Sequence, residues 1–167
     1  MNGIRTEGLE YKGFIFFGLI SVNDEPFVIE YNCRMGDPET EVVIPRLKSD
    51  LVDLFIAVSQ GRLPEVNVEI DVRAAATVVA VSGGYPGPYE KGFEIDGLDV
   101  LNEDDTIVFH SGTAEEDGKI VTNGGRVLAV TSYGESVSRA SMRSNKIMEF
   151  IDFVGIYYRK DIGYEFK

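Results

Sequence analysis

The sequence predicts an α+β fold: antiparallel strands and a helix in the first part, then a small, mostly antiparallel β unit with one packed helix. Three observations predict it. Two apolar segments, 13–20 and 27–31, flank a turn-forming stretch at 23–26, which is the pattern of a hairpin. Residues 51–58 and 136–153 space their apolar side chains as helices do. Between 72 and 131, short β-prone segments alternate with Glu-Asp-Gly and Asn-Gly-Gly turns, which antiparallel connections favour.

Taken in order, residues 4–9 are weakly helical and start without a cap. The run GFIFFGLI at 13–20 is almost wholly apolar, as in a strand covered on both faces, with Gly18 where a neighbour comes close. The second strand spans 27–31. Asp37 then reads as an N-cap, with Pro38 at the first helical position and Glu39 and Glu41 in the first turn. Pro45 ends or kinks that helix. A second start at Ser49 and Asp50 leads into Leu51, Leu54, Phe55 and Val58, one apolar face, and Gly61 stops it. The polar stretch 62–71 is the best boundary, giving domains 1–62 and 63–167. After it come a strand at 72–81, a Gly/Pro-rich loop at 82–92, and β segments at 93–95, 106–110, 119–122 and 126–131. The helix at 136–153 offers Ala140, Ile147, Phe150 and Ile151 for packing, and 157–167 is a tail.

Composition narrows the function. The 167 residues suffice for one large domain or two small ones, and 44% hydrophobic with 26% charged content excludes disorder. No apolar run reaches the length of a membrane span, and the first 13 residues, MNGIRTEGLEYKG, carry no secretory apolar region. The single cysteine, Cys33, rules out an internal disulfide and fits a reducing cytoplasm. It reads as a packing residue. A net charge of −12 argues against nucleic acid and anionic membrane as partners. It leaves a nucleotide ligand open, because phosphates need only local positive groups.

The stretch VIEYNCRMGDPET at 28–40 is where chemistry concentrates. Glu30 and Asn32 share a strand face, roughly 6.6 Å apart along the strand. A carboxylate beside an amide oxygen suits a hard cation such as magnesium, which takes one or two protein oxygens and completes its shell with substrate phosphates. The same pair also reads as a strand-end carboxylate and a turn asparagine with no metal. Arg34 can meet a carboxylate or phosphate, and Asp37 can cap a helix, contact substrate, or both. Gly84 and Tyr85 sit in a loop that serves equally as a turn. His110 has no second histidine at ligand spacing and reads as structural. Lys119 and Lys146 read as surface charges.

At this stretch the chain resembles the phosphoribosylamine–glycine ligase (glycinamide ribonucleotide synthetase) family of the ATP-grasp superfamily. The resemblance rests on NCR-GDPET followed by KSDL, and continues through SGGYPGPYEKG, VFHSGT and VTNGGRVLAVT to YRKDIG near the end. It implies the C-terminal piece of an ATP-grasp domain, then a small β domain of the hybrid-barrel type. It implies ligation of glycine to 5-phosphoribosylamine with ATP, through glycyl phosphate, giving glycinamide ribonucleotide, ADP and phosphate. Glu30 and Asn32 match the family's metal-ligand positions, for magnesium or manganese. Arg34, Asp37, Pro38, Glu39, Arg159 and Lys160 are the implied substrate contacts, with Gly84, Tyr85 and Arg143 as further candidates, and no residue of the chain is assigned a catalytic role. One departure stands out: many superfamily members carry a further acid on the preceding strand, and GFIFFGLI has none. The glycine-rich loop and phosphate-binding lysines of the family's N-terminal portion are not among these residues, so that portion is an expected partner and the chain alone is expected to be inactive. The alternative is a non-catalytic docking or carrier-like module, against which stand Lys91 and Lys119, neither set between methionines at a hairpin tip.

Overall fold

The computed structural model describes residues 2–99 and 104–166 and divides into two compact units, Met1–Asp71 and Val72–Lys167. In the first, a short helix α1 (Asn2–Thr6) precedes β1 (Phe16–Val22) and β2 (Glu25–Asn32), which pair antiparallel. Their turn is Asn23 and Asp24, with φ of 51° and 65°. Asparagine and aspartate tolerate that left-handed pair better than other side-chain-bearing residues. Pro26, expected in the turn, lies in β2 opposite Ser21.

The expectation that the strand at 13–20 is covered on both faces is overturned among the described residues, and its partner strand is open as well. Phe17 is 48% exposed, Leu19 55%, and Ile29 and Tyr31 65% each. The hairpin is a two-stranded sheet, so this unit gives it no further strand alongside. Phe17 and Tyr31, directly opposite each other, meet edge to face with centroids 5.3 Å apart.

The helix expected from Asp37 begins later, as α2 (Thr40–Val43), with Glu39 rather than Asp37 at the N-cap and no side-chain cap. The reason is a local closure. The Gly36 amide donates to Glu39 Oε1 at 2.8 Å, and the Thr40 hydroxyl donates back to the Gly36 carbonyl at 2.7 Å. Pro45 follows in a 3-10 turn, Ile44–Arg46, so α2 has room for one turn only. Helix α3 (Leu51–Gln60) follows the sequence closely. Asp50 accepts from the Val52 and Asp53 amides, and Gly61 closes the end with φ 71°. Its buried stripe is Leu54 and Ala57, while Phe55 is 47% exposed and meets Phe14 edge to face. Phe55 therefore lies off the stripe that the spacing assigned to it.

In the second unit β3 (Ala74–Val81) is followed by β4 (Thr106–His110), β5 (Thr113–Glu116), β6 (Lys119–Thr122) and β7 (Arg126–Gly134), then helix α4 (Val137–Met148). One antiparallel sheet has the order β3-β7-β4, and β5 pairs with β6 in a second. The strand expected at 93–95 is only a bridge, Glu94 to Val121. Central β7 is buried along seven successive residues, with Val127, Leu128 and Val130 fully inaccessible. Burial on both faces explains its near-continuous apolar run, a pattern that alternation-based reading expects of a covered strand. Ser136 caps α4 by accepting the Arg139 amide. Ala140, Ile147 and Met148 are buried in it, and Ile151 beyond its end, but Phe150 is 56% exposed. The helix ends at Met148, so Phe150 leaves the face that the longer predicted helix gave it. Ser144 donates to the Ala76 carbonyl at 2.9 Å, tying α4 to β3. Of the predicted tail, Lys167 lies outside the described residues.

Ile147 sits in the core with Val78, Leu128 and Val130, whereas Phe150 does not. Ile147→Ala is expected to destabilise the chain by about 2–5 kcal/mol, and Phe150→Ala by under about 1 kcal/mol, read by urea denaturation followed by circular dichroism. Equal losses would contradict this assignment of the core.

Candidate functional site

Glu30 and Asn32 stand at the open end of β2, on the face opposite Phe17 and Tyr31. The Asn32 side-chain amide donates to Glu30 Oε1 at 3.1 Å. In this arrangement the amide nitrogen faces the carboxylate. Gly18 faces Glu30 across the ladder, and a β carbon there would stand 2.8 Å from Glu30 Cγ. A glycine at 18 lets the Glu30 stem cross the partner strand, and the register shifts just beyond it.

Two oxygens from neighbouring side chains, one of them a carboxylate, make part of a magnesium shell and no more. Among the described residues no group of three or more His, Cys, Asp or Glu gathers as a metal site. The donor set thus fits an ion that takes its remaining ligands from phosphate and water. It does not fit one enclosed by protein.

The turn after β2 is folded on itself. Glu39 holds the Gly36 amide, which gives this carboxylate a structural task that the sequence does not reveal. Arg34 is exposed, and its Nη1 donates to the adjacent Met35 carbonyl at 3.2 Å. Asp37 is exposed and Pro38 half-buried beside it. Cys33, read as packing, is exposed instead. Its carbonyl, not its thiol, is engaged, accepting from the Tyr11 hydroxyl at 3.0 Å.

The candidates of the second unit fall into separate places. Gly84 has φ 98°, and a β carbon would meet the Pro88 carbonyl at 2.3 Å, so the loop itself requires glycine there. The Tyr85 ring lies on Gly125 and meets Tyr89 at 6.1 Å, a packing role. Arg159 forms a fork with Asp161 at 2.9 and 3.0 Å. That bond raises the guanidinium pKa further, so it stays charged. The Lys160 ammonium lies 5.8 Å from the Tyr158 ring centroid, in a cavity of about 470 Å³ against α4. Arg143 is held by Asp105 at 2.9 Å and by the Tyr133 carbonyl at 3.0 Å.

Asp105 and Arg73 escaped the sequence reading. Arg73 Nη1 reaches Asp105 at 2.5 Å, and its guanidinium carbon lies 4.3 Å from the Tyr133 ring centre. Partners 32 and 38 residues apart carry no local signal. His110 Nδ1 lies 3.0 Å from the Thr113 hydroxyl, a local contact, and Lys119 pairs with Glu94 at 2.6 Å.

A strand-end carboxylate and amide followed by a separate β unit is the layout expected of the closing part of an ATP-grasp protein. Residues 1–40 match the family model "Phosphoribosylglycinamide synthetase, ATP-grasp (A) domain". Residues 75–165 match "Phosphoribosylglycinamide synthetase, C domain", and the chain belongs to the phosphoribosylglycinamide synthetase family. It is 49% identical to the phosphoribosylamine–glycine ligase of Haemophilus influenzae over 98% of this chain and 38% of that protein. It is 48% identical to the trifunctional purine biosynthetic protein adenosine-3 of Gallus gallus over 98% of this chain and 16% of that protein. The phosphoribosylamine–glycine ligase structure from Thermotoga maritima superposes with a TM-score of 0.80 at 37% identity, covering 95% of this chain and 39% of that one. The chain therefore spans about 38% of the length of the single-function relatives it matches. The urea carboxylase of Kluyveromyces lactis, 14% identical with a TM-score of 0.55, shares the fold.

The hydrogen bond from Arg143, and after it that from Arg73, holds the Asp105 carboxyl below the usual carboxylate range. A depressed carboxylate contributes stability above its unfolded pKa and loses it as pH falls through the folded one. The melting-temperature gap between the parent and Asp105→Asn is therefore expected at pH 7 and should narrow as the pH falls below about 4 toward the lowered folded pKa. Thermal melts from pH 7 to pH 3 measure it, and a gap independent of pH would contradict the pairing.

Proposed function

We propose that this chain is the C-terminal part of an ATP-dependent ligase that joins glycine to 5-phosphoribosylamine in purine synthesis. The observation that carries the reading is the 49% identity to a phosphoribosylamine–glycine ligase along 98% of the chain. Both units take part in it, since separate family models match residues 1–40 and 75–165.

In this reading Glu30 and Asn32 hold a magnesium or manganese ion together with ATP phosphates. Bound there, the ion neutralises phosphate charge, the main requirement of phosphoryl transfer. The chain's own residues orient and bind. To share an ion with Glu30, the Asn32 amide must turn its oxygen toward it, in place of the nitrogen that donates to Glu30 Oε1 in the free chain. Arg34 offers exposed guanidinium donors for a carboxylate or phosphate. Asp37 and Pro38 follow on the exposed rim of the same turn, while Glu39 shapes the turn from within. Arg159 and Lys160 supply cations for the substrate phosphate, Lys160 the freer of the two because Asp161 occupies Arg159.

The exposed hairpin supports a further polypeptide portion as partner. Phe17, Leu19, Ile20, Phe27, Ile29 and Tyr31 each keep about half or more of their surface in water. Fully burying such a side chain stabilises by about 1.5–3 kcal/mol. An N-terminal ATP-grasp portion, carrying the phosphate-binding elements, is the cover that fits the family. No described helix is long and apolar enough to cross a membrane.

Two outcomes test the reading. Residues 1–167 alone are expected to show no glycine-dependent ATP hydrolysis, and turnover in a pure sample would overturn the partial-enzyme reading. In a chain of the relatives' full length carrying this segment, Glu30→Ala should raise the magnesium requirement at least about tenfold, or about 1.4 kcal/mol, in a glycine-dependent phosphate-release assay. An unchanged requirement would remove Glu30 from the metal shell.

A further inference from the structure

The second unit has a concentration of positive charge of which the ligase resemblance names only Arg143, although Lys146 also lines the cavity at Lys160. A cavity of about 640 Å³ is lined by Arg73, Arg139, Arg143 and Lys146, against the acids Asp105 and Glu135. That places four of the chain's 16 Lys and Arg at one cavity of a protein whose net charge is −12.

Three features set it apart from an ordinary solvated helix face. Arg139, Arg143 and Lys146 fall at i, i+4 and i+7 of α4, on one side, and the sequence of α4, VSRASMRSNKIM, has no acid to offset them. Like charges at that spacing repel. Arg139 also stands in the first turn, where the helix dipole disfavours a cation. Finally, the cavity wall is held in place. Arg143 is fixed by Asp105 and the Tyr133 carbonyl, and Arg73 lies between Asp105 and the Tyr133 ring. Among the described residues the Arg139 and Lys146 side chains make no hydrogen bond or ion pair. Unfavourable local choices that converge on a cavity mark a site in search of its counter-charge.

We propose that this cavity binds a small oxyanion of the phosphate class. Arg143 and Arg73 form the fixed wall, and Arg139 and Lys146 close on the anion as charge-assisted donors. The cavity has room for a molecule of sugar-phosphate size. All these residues lie within Val72–Lys167, and the inference stands whether or not the ligase reading holds.

The test is calorimetric titration of the 167-residue chain at low salt with inorganic phosphate, pyrophosphate and ribose 5-phosphate. Saturable binding of at least one probe below about 1 mM is expected. R139Q/K146Q should weaken it at least about tenfold, or about 1.4 kcal/mol. K48Q/K91Q, which removes the same charge elsewhere, should change it by less than about threefold, or about 0.65 kcal/mol. Lys48, Lys91, Arg139 and Lys146 are all exposed, so both doubles should fold, with R139Q/K146Q melting no lower than the parent. Preference for ribose 5-phosphate identifies a phosphate ester as the ligand; equal or better binding of the inorganic probes identifies the free oxyanion. Absence of saturable binding, or equal weakening in both double variants, overturns the proposal.

Discussion

The burial of β7 is the constraint on which the second unit depends. A strand inaccessible along seven residues must have each polar backbone group paired and each face covered. β3 and β4 supply the pairing on its two edges. Helix α4 supplies cover, returning directly from the end of β7 through a short turn. The hydroxyls buried against this arrangement are satisfied in it: Ser144 on the Ala76 carbonyl, Thr131 on Thr77, and Thr106 with Ser132. Unpaired, each would cost about 1–3 kcal/mol. Apolar burial and polar satisfaction thus select the same packing.

That rigid unit has a consequence for charge. Because α4 is anchored along one side by Ala140, Ser144, Ile147 and Met148, the flank beside it is placed without freedom to turn. Arg139, Arg143 and Lys146 are carried on that flank, and Asp105 at the entry to β4 comes up to meet the middle one. Arg143 and Arg73 are held in advance, so an anion entering the cavity would find that part of its donor set already ordered.

The first unit is organised differently. Its hairpin holds the metal-site candidates on an element whose apolar side chains face water. A two-stranded sheet of this kind is marginal by itself. The position of Glu30 and Asn32 is therefore well defined locally, by their mutual hydrogen bond and by the space Gly18 leaves. The open hairpin fits a chain that spans about 38% of its single-function relatives.

Much of this was legible in the amino-acid order. The hairpin, α3 with its Asp50 cap and Gly61 stop, β4, β6 and the start of α4 follow from local rules, because caps, turns and periodicity act over a few residues. The strand-end pair was legible for the same reason: residues two apart on a strand share a face whatever surrounds them. What failed was whatever depends on which contacts form, some of them local and others between distant segments. Asp37 lost the helix start to a Gly36–Glu39–Thr40 closure, and Phe55 and Phe150 are apolar yet exposed. Cys33 is exposed where packing was expected, and β5 exists only because β6 pairs with it. The Arg73–Asp105–Arg143 arrangement joins segments more than 30 residues apart. Sequence by itself determined the elements, the family resemblance and the metal-site candidates. Tertiary structure alone decided which apolar residues are buried and which charges meet, because burial and ion pairing are set by separation in space, which local spacing does not encode.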